Sequence, residues 1–89
     1  MPVKGRKDAL LLDTLSVGNV DETLQGAVEQ IGPDGILYVS DTMKKPEVPG
    51  PDVRRVLKLN LARWCDRVGL EMQQCRMEDM RIYAVFARQ

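Results

Sequence analysis

The strongest constraint on the fold is a helical stripe set between two short apolar runs. In NVDETLQGAVEQIG, residues 19–32, Val20, Leu24, Ala27, Val28 and Ile31 recur at the spacing of one helix face. ALLLDT (9–14) precedes it and ILYVS (36–40) follows. Each run is too short for a helix and apolar enough for a buried strand. Asn19 can cap the free N–H groups of the helix, Glu22 stands three residues on as in a capping box, and Gly32 suits the C-terminal stop. Pro33-Asp34-Gly35 makes the turn into the second strand.

Beyond that unit the chain alternates again. DTMKKPEVPGPD (41–52) is a long loop with three prolines, Pro46, Pro49 and Pro51. A second helix is expected from Val53, with Val53, Val56, Leu57, Leu61, Trp64, Cys65 and Val68 on one face and Gly69 at its end. LEMQQCR (70–76) and RIYAVFAR (81–88) complete the pattern as strands, with MEDM as the hairpin turn. The order βαβαββ predicts an α/β (α+β) two-layer sandwich, a four-stranded mixed sheet with two helices on one face. Residues 1–8 are expected to be a flexible tail and 9–89 a single domain. There are no internal repeats.

Composition narrows the function classes. Thirteen basic and thirteen acidic residues cancel, so no global charge drives binding to nucleic acid or an anionic membrane. No apolar run approaches the roughly 18 residues needed to span a bilayer, and ALLL is too brief for a signal peptide. A cytoplasmic protein is expected. The chain has no histidine, which removes the usual general base, and its two cysteines form no CxxC motif. Neither a metal centre nor a cofactor is expected.

LLLDTLSVGNVDETL (10–24) carries the functional question, because strand-to-helix junctions often hold chemistry and this one lacks Cys, His, Lys and a glycine-rich loop. The strand ILYVSD, the helix end LARWCDRVGLEM and the hairpin CRMEDMRIYAVFAR, with LLLDT in front, resemble the TusA/SirA-like family of small sulfur carriers over residues 9–88. In that family a Cys-Pro-x-Pro motif follows the first strand. Aligned from Leu12, its reactive Cys falls at Asn19, its first Pro at Val20 and its second near Glu22. A thiolate there would be stabilised by the helix dipole, whereas an amide carries no persulfide. The resemblance thus implies a divergent member, an accessory or protein-binding module of a sulfur-relay system, and leaves open whether the chain is an enzyme.

Two alternatives stand beside this expectation. Cys75 or Cys65 could carry sulfur instead; Cys65 lies on the apolar helix face, where a Cys acts as a small hydrophobe, and Cys75 is adjacent to Arg76. A nucleic-acid-binding module would use the basic face of helix two, but Asp52 and Asp66 interrupt that face and few aromatics exist for stacking. A solvated helix face explains it more simply. A protein partner is the expected ligand, recognised by Lys44 and Lys45 in the Pro-rich loop with Arg54, Arg55 and Lys58 beyond it. The sequence leaves the oligomeric state open.

Overall fold

The computed structural model describes residues 7–44 and 54–89. Its elements run β1 (Ala9–Leu12), α1 (Val20–Gln30), β2 (Ile36–Thr42), α2 (Lys58–Arg67), β3 (Leu70–Glu78) and β4 (Arg81–Arg88). The four strands form one sheet in the order β1-β2-β4-β3, with β1 parallel to β2 and the β2–β4 and β4–β3 pairs antiparallel. This is the expected βαβαββ mixed sheet with two helices.

Both helices share one buried cluster with one face of the sheet. Leu24, Val28 and Ile31 of the first helical unit and Leu61 and Cys65 of α2 meet Leu37, Val39, Ile82 and Phe86. All five positions of the α1 stripe are buried. Asn19 caps α1, its side-chain oxygen accepting the Glu22 N–H at 3.0 Å. The helix stops differently from the expectation at Gly32. Ile31 is extended, and Arg88 of β4 donates to the carbonyls of Val28 (2.6 Å), Ile31 (2.9 Å) and Gly32 (3.3 Å), satisfying the end of the helix from the sheet.

Three local expectations are corrected. Helix α2 begins at Lys58 instead of near Val53, which lies outside the described residues together with most of the Pro-rich loop. The approach through Arg54–Leu57 is not helical: the Arg54 N–H donates to the Ser16 carbonyl (2.9 Å), Val56 is buried in the core and Leu57 is extended. Trp64, phased on the core face, is half-buried against it. ALLLDT, read as a buried strand, is the sheet edge, with Leu10 and Leu12 exposed. Of the residues 1–8 expected to be a flexible tail, 1–6 lie outside the described residues. Lys7 and Asp8 are tied: the Lys7 carbonyl accepts from Gly32 (3.1 Å) and the Asp8 carboxylate from Ile36 (2.9 Å).

Candidate functional site

The carboxyl ends of the parallel strands are where ligands bind in open α/β sheets. Here that edge gathers the β1–α1 loop, the end of β2 and the start of β4. Asp13 adopts a positive φ of 56°, which swings its side chain from β1 toward β4. Its carboxylate accepts from Arg81 at 2.7 Å, and Arg81 also donates to the Ser40 hydroxyl at 3.0 and 3.4 Å. The Asp13 N–H donates to the Ser40 carbonyl at 2.9 Å. The Asp13 hydrogen bond pushes the Arg81 guanidinium further above its ordinary pKa, so it is a permanent cation.

Asp41 lies one residue from Ser40 and on the opposite face, fully buried. One oxygen accepts the Leu15 N–H at 2.9 Å and the other the Thr42 N–H at 2.8 Å. Burial is the largest influence and raises its pKa above the ordinary carboxylate value; the two N–H groups oppose that shift without reversing it. The strand alternation Leu37, Val39, Asp41 places this carboxylate on the core face, a signal present in the sequence. Asp13 and Arg81 are 68 residues apart and carry no local signal of their pairing.

Arg54 closes the loop from the other side. Its guanidinium donates to the Leu15 carbonyl at 2.8 Å and also to the Gly18 carbonyl. The loop is thus filled by a protein cation and lined by its own carbonyl oxygens. The other sequence candidates are scattered. Lys44 is exposed just past β2, its N–H donating to the Thr42 hydroxyl at 3.1 Å. Arg55 and Lys58 are exposed, and Lys45 lies outside the described residues. Cys65 is fully buried, and burial pushes its thiol up to about 12, far from a working thiolate. Cys75 is half-buried on β3 and packs on the helix side of the sheet. A bulge between Met72 and Gln74 shifts the strand by one residue, which puts Met72 and Cys75 on the same face although three positions separate them. Among the described residues no group of His, Cys, Asp or Glu is placed to hold a metal ion. No helix among them is long and apolar enough to cross a membrane.

The fold therefore defines an open α/β sheet whose carboxyl edge gathers Asp13, Ser40 and Arg81. No family model matches the sequence, and no curated protein is similar to it. Solved structures do match. TnmH superposes with a TM-score of 0.74 at 18% identity, over 98% of this chain and 32% of its own. LepI, in a structure described as a complex with SAM, gives 0.74 at 16% identity, over 100% of this chain and 28% of its own. The pyocyanin biosynthetic protein PhzM gives 0.73 at 17% identity, over 98% and 32%. At such identities the likeness is one of fold, and the chain spans about a third of the length of the structures it matches.

These matches correct the likeness to TusA/SirA-like sulfur carriers and the sulfur-relay role drawn from it. The fold carried by the whole chain is that of a segment of TnmH, LepI and PhzM. The cysteines agree with the correction, since the position aligned to a reactive Cys is a helix cap and the Cys65 thiol is buried.

Proposed function

We propose that this chain is a packing segment of a SAM-associated, methyltransferase-type α/β fold, and that its function is exercised in contact with further protein. The observation that carries the reading is the superposition of the entire chain on 28% of LepI, whose structure is described as a complex with SAM. In this role the carboxyl edge forms one wall of the ligand crevice, presenting Asp13, Ser40 and Arg81 to it.

The described residues do not themselves fit the cofactor. A dinucleotide or nucleoside cradle needs an open, glycine-rich strand-to-helix turn with free N–H groups. The turn here, Asp13–Asn19, has one glycine, is packed by buried Leu15, and has its carbonyls engaged by Arg54. SAM, a methyl donor, would therefore be held by the complementary part of the fold, and this chain would orient what lies opposite it. Two free cysteines suit a reducing, cytoplasmic setting.

Calorimetry tests the reading. The chain expressed alone is expected to give no heat with SAM, whereas the assembly purified through this chain from its own cells is expected to bind one SAM per copy. Binding by the chain alone would overturn the packing role. An assembly without binding would remove SAM from the reading.

A further inference from the structure

Independently of that reading, we infer that the outer face of the helix layer is a self-complementary interface whose occupant is a second copy of this chain. The two helices carry opposite charge. Helix α1 exposes Asp21, Glu22 and Glu29 and has no Lys or Arg, whereas α2 exposes Lys58, Arg63 and Arg67 against Asp66 alone. A groove of about 630 Å³ lies between them, lined by Glu22, Gly26 and Glu29 of α1 and by Arg67 and Val68 at the end of α2. Arg67 reaches Asp21 at 2.8 Å, so one cation of the chain already sits at the end of the groove. Among the described residues Glu22 and Glu29 form no ion pair, and neither do Lys58 and Arg63.

Gly26 lies midway between the two unpaired carboxylates. A glycine inside a helix costs stability. A methyl added here would meet nothing within 4 Å, so no contact within the described residues requires the glycine. It leaves a hollow in the groove, flanked by Glu22 and Glu29. The matching projection is Leu59 in the first turn of α2, 80% exposed and more so than any other large apolar side chain among the described residues. Lys58 precedes it directly and Arg63 stands four residues on, so the projection is flanked by cations as the hollow is by carboxylates. Arg67 follows one further turn along the same helix face, which puts projection and groove on one surface about 12 Å apart along the axis. A two-fold axis normal to that surface sets each Leu59 over the partner's Gly26 and its flanking cations against the partner's Glu22 and the partner's Glu29, twice over. An apolar anchor ringed by complementary charge is the makeup of an interface core and its rim.

Sedimentation equilibrium of the full chain tests this. Wild type is expected to be a monomer–dimer system whose affinity falls as salt rises. Reversing the groove (Glu22→Lys with Glu29→Lys) or the projection (Lys58→Glu with Arg63→Glu) should weaken the dimer about tenfold or more, with the circular dichroism spectrum unchanged. An equimolar mixture of the two reversed proteins should recover it, because each groove then faces a projection of opposite charge. Leu59→Ser, which removes the anchor, and Gly26→Gln, which fills the hollow, should each weaken the dimer comparably. A chain monomeric at every concentration, a dimer indifferent to both reversals, a mixture that fails to recover, or assemblies growing beyond the dimer would each overturn the inference. The SAM titration reads a separate property, so either reading can fail alone.

Discussion

Asp41 accepts the backbone N–H of Leu15 at 2.9 Å across 26 residues of chain, fastening the β1–α1 loop to the end of β2 from inside the core. Burial raises the Asp41 pKa, so the folded state holds its proton more tightly than the unfolded chain does. The stability it contributes is then fully present below its ordinary value of 3.8 and is lost as pH rises through the raised folded value. Asp41→Asn keeps the shape and removes the titration. The stability difference between Asp41→Asn and wild type, measured by urea melts from pH 3 to 7, should therefore move in favour of the variant as pH rises. A difference independent of pH would show that the carboxyl titrates normally.

Asn19 gives a second test. Its oxygen satisfies the Glu22 N–H at the exposed start of α1. Asn19→Ala removes that cap and should cost about 1 kcal/mol, a drop in Tm of roughly 4–8 °C for a domain of this size. An unchanged midpoint would mean that water replaces the cap without loss.

The parts legible in the sequence were those where local chemistry and burial agree. The α1 stripe, its Asn19 cap and the closing hairpin each depend on residues a few positions apart. What failed depended on distant partners. Val53 and Val56 suit a helix by spacing, but Arg54 is drawn to the carbonyls of Leu15, Ser16 and Gly18, and the helix starts only at Lys58. Cys75 changes face through a bulge that no residue of LEMQQCR announces. An apolar run such as ALLL is the same whether the strand is central or at an edge. The sulfur-carrier resemblance rested on an apolar strand, a helix-ending glycine and an acidic hairpin turn, which any hairpin-closed α/β unit of this topology requires. The candidate edge was hidden for the same reason, since Asp13 and Arg81 meet only in the folded sheet.

The two thiols should differ in reactivity. Cys65 is fully buried with its pKa pushed up to about 12, whereas Cys75 is half-buried on an edge strand. In native buffer at neutral pH, iodoacetamide should label Cys75 at least tenfold faster than Cys65, and denaturant should abolish the difference. Equal native rates, read by peptide mass spectrometry, would contradict the burial of α2.

The β3–β4 hairpin holds both central turn residues, Asp79 and Met80, at positive φ of 51° and 62°. That is the geometry of a two-residue type I′ turn, which favours glycine at the second position. Met80 is half exposed at 50%, so little packing is lost with its side chain, and its carbonyl remains available to the Met43 N–H. Met80→Gly should therefore stabilise the domain by about 1 kcal/mol, the cost of a left-handed residue with a side chain. A lower Tm would show that the Met80 side chain packs against something the turn needs.

Two glycines should respond to alanine with opposite signs. Gly26 lies within α1, and a methyl added there meets nothing within 4 Å. Gly26→Ala should raise stability by about 0.5–1 kcal/mol through helix propensity and reduced freedom of the unfolded chain. Gly35 is buried where the turn from α1 enters β2, its N–H donating to the Gly32 carbonyl at 2.8 Å. A methyl on Gly35 would overlap the Lys7 carbonyl and approach both the Gly32 nitrogen and the Ile31 side chain at 2.9 Å. The Lys7 oxygen cannot withdraw freely, because it accepts the Gly32 N–H and leads directly into β1. Relief would have to come from separating β1 from the turn, so Gly35→Ala should cost roughly 3 kcal/mol or more. Amide exchange locates the effect: protection should fall first at Asp13, whose N–H donates to Ser40, and at Gly32, whose N–H donates to Lys7, while α2 and the β3–β4 hairpin retain theirs until global unfolding. Uniform loss of protection, or a Gly35→Ala domain as stable as wild type, would show that the first strand is not held at this contact.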